Sequence, residues 1–298
     1  MEHSRVRASL AFLLFSCVAI AARAAAADTG FTHTPLGSSV HLLQGYECNI
    51  VVSAGDDGIV MVDTCTAEAA DPLLAAVKRL SSKPIRFVID THMHGDHTGG
   101  NAFFQKFAPV IARNNVRRWL TSGNEVTKDK PAPREALPAI TFDGQLSFFL
   151  NDEEIRLLAL GPAHTDGDTV VFFKNAGVLA IGDVFMSPAT SFGDRHYGGG
   201  MLKLIDALEL LLPKIPDEAK VIPGHGTIST RTDVARGLDV LQQMKSVVQR
   251  AVKDGKTLEQ LTAERPFDKW KGSVPAWASS DKSLDGWVRN FYRELTVK

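Results

Sequence analysis

Histidine and aspartate side chains crowd into one short stretch of this 298-residue chain. Within six positions the sequence presents His92, His94, Asp96 and His97, directly after the apolar run 85–90. Neutral imidazole and carboxylate groups are ligands that suit zinc and iron, and four of them in one turn exceed what general acid–base chemistry needs. This spacing predicts a metal site at the end of a strand.

Three further residues that can bind a metal ion each follow a short apolar run: His164, Asp183 and His225. Ligands placed repeatedly at strand ends are what a preformed site at the rim of a sheet requires. A lone histidine in a loop is more often a solvated surface residue. Because the histidine-rich stretch is present, we interpret all seven residues as candidate metal ligands.

The rest of the chain alternates short apolar runs with helical patterns, which predicts an α/β fold with two sheets covered by helices. The predicted strands are 40–43, 49–53, 59–63, 85–90, 109–112, 146–150, 155–160, 169–173, 178–181 and 220–222. The predicted helices are 67–80, 116–120, 201–211 and 233–253, with one or two more between 258 and 292.

The string His92-Met-His-Gly-Asp-His97, followed in order by His164, Asp183 and His225, resembles the metallo-β-lactamase-fold hydrolase superfamily. The resemblance extends from about residue 36 to about residue 250 and includes Asp63 at a strand end. It implies an αββα sandwich of two mixed β-sheets flanked by helices. It also implies two zinc ions per chain, bound between the sheet edges.

The same resemblance implies a role for each candidate residue. The ligands implied for the first zinc ion are His92, His94 and His164. Those implied for the second zinc ion are Asp96, His97 and His225, with Asp183 bridging both ions. Asp63 would lie behind the ligands and steady the histidine loop, since metal ligands need hydrogen-bond partners that orient them.

This ligand set implies a hydrolase that acts on a small-molecule carbonyl substrate such as a β-lactam, a lactone or a thioester. Two metal ions about 3.5–4 Å apart lower the pKa of a bridging water, and the resulting hydroxide attacks the carbonyl carbon. Asp96 would orient the hydroxide, and the second ion would stabilise the anion on the leaving atom.

Asp183 leaves the substrate class open. Many true class B β-lactamases carry a cysteine near this position, whereas a bridging aspartate is typical of glyoxalase-II-like thioesterases, lactonases and many broad hydrolases. A glyoxalase-II-like thioesterase is therefore one alternative. A second alternative is an iron-dependent oxidoreductase on the same fold.

The N-terminus has the pattern of a secretory signal. Arg5 and Arg7 precede the uncharged run 8–22, and the small-residue stretch Ala24–Ala27 follows. This arrangement predicts a signal peptide at residues 1–24, with cleavage between 24 and 27. Because a membrane-spanning helix needs about 20 apolar residues, we expect no stable membrane span and a periplasmic or secreted protein.

The remaining chain contains no linker rich in proline, glycine or serine, which predicts a catalytic domain at 31–254 and a C-terminal helical extension at 255–298. The formal charge is −1, from 33 basic and 34 acidic residues, without a block of like charge. This balance argues against binding to nucleic acid, which normally requires a basic stripe. A monomer is the default expectation.

Two residue pairs have more than one interpretation. Cys48 and Cys65 lie opposite each other if the chain folds into a hairpin about Asp56 and Asp57, which permits a disulfide in an oxidising compartment. Two buried thiols are the alternative. His196 and Tyr197 lie in a stretch that would cover the site, where they could polarise a substrate carbonyl. A solvated surface loop is the alternative there.

Overall fold

The computed structural model describes residues 28–37 and 39–296. The predicted signal peptide at 1–24 and its cleavage site lie outside these residues. Within the described ranges, none of the helices combines the length and the apolar character that crossing a membrane requires.

Two β-sheets form the centre of the molecule. The first sheet contains, in spatial order, β1 (Thr32–Pro35), β2 (Val40–Gly45), β3 (Cys48–Gly55), β4 (Gly58–Val62), β5 (Ile85–Ile89), β6 (Val110–Arg113) and β7 (Ile140–Phe142). The second sheet contains, again as spatial neighbours, β8 (Gln145–Leu150), β9 (Glu153–Ala159), β10 (Thr169–Phe173), β11 (Val178–Gly182) and β12 (Lys220–Pro223). Both sheets are mixed, because β4 to β7 pair in parallel, as do β11 and β12.

Helices cover the outer faces of both sheets. Those before β8 are α1 (Ala70–Leu80), α2 (Gly95–Thr98), α3 (Asn101–Phe104) and α4 (Asn114–Ser122). Those after β11 are α5 (Met201–Leu211), α6 (Arg231–Lys253), α7 (Leu258–Ala263) and α8 (Asp281–Thr296). The layers are therefore helix, sheet, sheet and helix, which confirms the predicted αββα sandwich.

The sequence of strand β4 is apolar throughout because both faces of the strand are buried. Side chains alternate between the two faces of a strand, and in β4 both faces are covered. Val60 and Val62 lie in the cluster between the two sheets, where Phe173 of β10 also packs. Ile59 and Met61 belong instead to the cluster that contains Leu73 of α1 and Phe104 of α3. A strand buried on both faces needs an uninterrupted apolar run rather than alternation.

Two strands, β1 and β7, are not among the sequence predictions. Each lies at an outer edge of the first sheet, and each exposes two or more of its side chains. Short edge strands lack the apolar pattern that marks buried ones. Their pairing with β2 and β6 therefore depends on tertiary contacts that the local sequence does not reveal.

The C-terminal segment packs onto the second sheet. Trp287 and Phe291 of α8 are buried in the same cluster as Leu208 of α5 and Leu241 of α6. This cluster also contains Leu179 of β11. The stretch predicted as a helical extension therefore shares one apolar core with the helices that cover the second sheet.

The hairpin of β3 and β4 brings the two cysteines together. Its ladder runs from the Gly55–Gly58 pair at the turn to the Val51–Val62 pair. Cys48 and Cys65 are joined as a disulfide, with their Cα atoms 5.9 Å apart. Of the two alternatives left open by the sequence, the structure has the bridged form.

We expect truncation of a buried α8 side chain to destabilise the whole fold. Phe291 is fully buried, and replacing a buried phenylalanine by alanine removes apolar contacts and leaves a cavity. Phe291→Ala should lower the free energy of unfolding in urea by about 3–5 kcal/mol. Arg289→Ala on the exposed side of the same helix should change it by less than about 0.5 kcal/mol. Equal effects of the two variants would contradict the packing described for α8.

Candidate metal centre

The seven candidate ligands meet at one edge of the sandwich, where strands of both sheets end. From the first sheet, the residues after β5 are His92, His94, Asp96 and His97. From the second sheet, the residues after β9, β11 and β12 are His164, Asp183 and His225. The candidate ligands therefore lie after strand ends, where the sequence places them.

The histidine loop, residues 91–97, begins after β5 has ended at Ile89, so His92 and His94 are not strand residues. The backbone bends instead and enters α2, whose first turn is held by bonds from the His97 and Thr98 amides to the His94 carbonyl, both 3.0 Å. The Asp63 carboxylate fixes the start of the loop, because it accepts hydrogen bonds from the amide and hydroxyl of Thr91 at 2.7 and 2.8 Å. This bend places the imidazoles of His92 and His94 on the same side of the loop.

The first cluster consists of His92, His94, His164 and Asp183. His94 Nδ1 lies 3.1 Å from His92 Nε2 and 3.1 Å from His164 Nε2. Asp183 Oδ2 lies 3.8 Å from both of those Nε2 atoms. Three ring nitrogens and one carboxylate oxygen therefore surround a single point.

The second cluster consists of Asp96, His97, Asp183 and His225. His225 Nε2 lies 3.3 Å from His97 Nε2 and 3.1 Å from Asp96 Oδ2. Asp183 contributes both oxygens: Oδ1 is 3.4 Å from His97 Nε2, and Oδ2 is 3.4 Å from His225 Nε2. Asp183 thus belongs to both clusters.

The clusters have the donor types and the spacing that a metal ion requires. Two nitrogens bound tetrahedrally to zinc lie about 3.3 Å apart, because each Zn–N bond is about 2.0–2.1 Å long. The ring nitrogens here are 3.1–3.3 Å apart. Asp183 Oδ1 is buried and has no hydrogen-bond partner. Because a buried charged oxygen without a partner is costly, this atom fits a cation between the clusters.

Burial and charge set the protonation of these groups. Burial lowers the pKa of His92 and lowers that of His164 to about 4, so both rings keep a free lone pair at neutral pH. At His225 burial also opposes the charged form, but the hydrogen bonds that its ring donates to the Asp183 and Asp96 carboxylates, together with the charge of Asp183, outweigh burial and raise the pKa to about 10. The second cluster therefore attracts positive charge.

Each imidazole of the clusters is oriented through its other ring nitrogen. The partners are Thr91 Oγ1 for His92 (3.1 Å), Asp194 Oδ2 for His94 (3.2 Å), Asp63 Oδ2 for His97 (2.8 Å), the Phe192 carbonyl for His164 (2.8 Å) and the Glu47 carbonyl for His225. Such partners fix the tautomer and the rotation of a metal-binding histidine. The position predicted for Asp63, behind the ligands, matches this arrangement.

Four of these partners, Thr91, Asp194, Phe192 and Glu47, are not among the sequence predictions, and Asp194 is the charged side chain that orients a ring among them. It lies in a loop 100 positions after His94, and its Oδ1 also accepts a hydrogen bond from the His196 amide at 2.9 Å. Burial opposes its charge, but the hydrogen bonds that it accepts from His94 and the His196 amide, together with the nearby His94 and His164 rings, lower its pKa. A single aspartate outside any motif carries no sequence signal for this contact.

The two predicted substrate residues have different surroundings. The Tyr197 ring is buried, lies 5.1 Å from the His94 ring and hydrogen-bonds through its hydroxyl to the Asp129 carboxylate. The His196 side chain is exposed, and it lines neither of the two cavities that adjoin the clusters.

Those two cavities meet at His94 and Asp96, which line both of them. One cavity has a volume of about 530 Å³, and its apolar walls are Met93, Trp119, Leu120 and Tyr197. The other has a volume of about 590 Å³, and its walls include Glu47, Met186, Phe192 and Ala276. A substrate at the clusters therefore has space on either side.

Comparisons with known proteins agree with this geometry. A curated relative from Methanocaldococcus jannaschii, described as a probable metallo-hydrolase, is 28% identical over 63% of this chain and 91% of its own length. A hydroxyacylglutathione hydrolase from Gloeobacter violaceus is 26% identical over 78% of this chain and 88% of its own length. The solved structure of a metallo-beta-lactamase from Pontibacter korlensis matches with a TM-score of 0.61 and 20% identity, covering 71% of this chain and 99% of that one.

The family model of the metallo-beta-lactamase superfamily matches residues 34–225, a range that includes all seven cluster residues. It also includes Asp63 and Asp194, which orient two of the imidazoles. The match confirms the resemblance drawn from the histidine motif. This chain belongs to the metallo-beta-lactamase superfamily.

Proposed function

We propose that this chain is a dinuclear zinc hydrolase that opens a small-molecule carbonyl substrate such as a β-lactam, a lactone or a thioester. The observation that carries the proposal is the position of Asp183, whose carboxylate faces both ligand clusters. A single-metal enzyme would need only one of these clusters. The relative described as a metallo-hydrolase supports hydrolysis.

Zinc is the metal that we assign to both clusters. Five imidazoles and two carboxylates supply nitrogen and oxygen ligands, and zinc binds such ligands in low coordination numbers. The complete second cluster argues against the alternative of an oxidoreductase that uses one iron. When bound, two zinc ions supply Lewis acidity, which lowers the pKa of a water molecule and polarises a carbonyl group.

We assign to Asp96 the role of orienting the attacking water molecule. Its side chain is 42% exposed, more than that of any other of the seven candidate ligands. It also lines both cavities. Burial opposes its charge, but the hydrogen bond with His225 and the attraction of the His97 and His225 imidazoles together lower the pKa of Asp96 to about 2. A permanent carboxylate can accept a hydrogen bond from water and thereby orient it toward the substrate.

The apolar wall formed by Trp119 and Tyr197 in the first cavity is the part of the site that we assign to a substrate substituent. Trp119 Nε1 donates to Asp166 Oδ1 at 2.8 Å, and the Tyr197 hydroxyl is bound to Asp129. Because the polar ends of both side chains are engaged, their rings act as apolar walls beside His94. We infer that the substrate carries an apolar group next to the carbonyl that is cleaved.

The first test is hydrolysis by the zinc-loaded protein of a penicillin, a carbapenem, an N-acyl lactone and a glutathione thioester. The thioester is included because one relative is named a hydroxyacylglutathione hydrolase. We expect turnover of at least one substrate, loss of that turnover after chelation, and recovery with zinc. Turnover that survives complete removal of metal, or recovery with iron alone, would contradict the proposal.

Lactones with short and long acyl chains extend this test to the cavity wall formed by Trp119 and Tyr197. The long-chain lactone should be preferred in kcat/KM, and Trp119→Ala should reduce that preference because one apolar wall is removed. Phe107→Ala is the matched control, since Phe107 is an exposed aromatic residue that does not line this cavity. The same preference in both variants would exclude Trp119 from substrate contact.

We also propose that the protein is exported to the periplasm or secreted. The N-terminal pattern of basic, apolar and small residues supports export, and so does the Cys48–Cys65 disulfide, since disulfides persist in oxidising compartments. N-terminal sequencing of the protein from cells should find a first residue between Ala25 and Asp28. A mature chain that still begins at Met1 would disprove cleavage.

A further inference from the structure

We propose that the Cys48–Cys65 disulfide positions the second ligand cluster, formed by Asp96, His97, Asp183 and His225. This inference rests on the proposed function, because it concerns the affinity for the second of two metal ions. In this account the two cysteines are positioning residues: they touch no ligand of the cluster themselves but join the two segments that hold His97 and His225.

The segment around Cys48 holds the loop that carries His225. The carbonyl of Glu47 accepts a hydrogen bond from His225 Nδ1. Asn49 makes three hydrogen bonds to backbone carbonyls of residues 223–226, with lengths of 2.8 to 3.0 Å. The residues on either side of Cys48 therefore set both the rotation of the His225 ring and the path of its backbone.

The segment that ends at Cys65 holds the loop that carries His97. Asp63 Oδ2 lies 2.8 Å from His97 Nδ1. The amide and the hydroxyl of Thr64 both donate to the His97 carbonyl, at 2.8 and 3.0 Å. The Cys65 carbonyl accepts a hydrogen bond from the Gly100 amide at 3.2 Å. This segment therefore fixes the ring and the backbone of His97.

The disulfide lies where the backbone pairing of these two segments has ended. The β3–β4 ladder reaches the Val51–Val62 pair and goes no further. Beyond it, Asp63 and Cys65 have positive φ angles of 68° and 56°, so the chain departs from strand geometry. A covalent bond there keeps the two segments at a fixed separation that the ladder no longer sets.

The first cluster depends on other contacts. His94 is oriented by Asp194 and His164 by the Phe192 carbonyl, and both partners lie in the loop after β11. His92 is linked to Asp63 through the Thr91 hydroxyl, one hydrogen bond further away than His97. Loss of the disulfide should therefore weaken the second cluster more than the first.

The test is stepwise zinc binding by the full chain with the Cys48→Ala/Cys65→Ala substitutions, measured by competition with a chromophoric chelator. Loss of contacts that orient metal ligands typically lowers metal affinity about 10–100-fold. We expect a loss of that size for one zinc ion and an unchanged affinity for the other. Cobalt titration adds a spectroscopic readout, because the absorption bands of the weakened site alone should change.

Phe291→Ala is the matched control, because Phe291 lies in the apolar cluster of α5, α6 and α8, which includes none of residues 47–49 or 63–65. It should destabilise the fold while leaving both zinc affinities unchanged. If the alanine pair does not fold, Cys48→Val/Cys65→Ala, which refills part of the lost volume, is measured in its place. Unchanged binding of both ions, or equal weakening of both, would overturn the positioning role. A wild-type chain that binds fewer than two zinc ions would instead refute the proposed function.

Discussion

Asp183 sets the constraint on which the rest of the site depends. Its carboxylate is 4% exposed, four imidazoles lie within 3.8 Å of its oxygens, and Oδ1 has no hydrogen-bond partner. Burying a charge in this way is costly unless opposite charge or donors compensate it. The fold must therefore hold the imidazoles around Asp183 rigidly, because small displacements would remove the groups that compensate its buried charge.

The sandwich meets this requirement by ending strands of both sheets at one edge. His97 comes from the first sheet, whereas Asp183 and His225 come from the second, so their spacing depends on how the sheets pack together. Val60 and Phe173 lie in the core that joins the two sheets. Metal binding and folding are therefore coupled, since the ligands converge only when this core is formed.

The fold and all seven cluster residues could be predicted from the sequence, because the candidate metal ligands follow the apolar runs that predict strands. The His92–His97 motif is local, and its convergence with Asp183 follows from the resemblance to a known family. Asp194 could not be found this way, since its contact with His94 arises from loop geometry over 100 positions. The sequence left the disulfide as one of two alternatives, because its formation depends on both the redox state of the compartment and the register of the β-hairpin.

The central claim is that two zinc ions bind between the sheet edges and share Asp183. Anomalous diffraction at the zinc absorption edge, from crystals of zinc-loaded protein, tests it most directly. The account predicts two peaks, one among His92, His94 and His164 and the other among Asp96, His97 and His225, with Asp183 in contact with both. A single peak at full zinc occupancy, or a second peak away from Asp183, would contradict it.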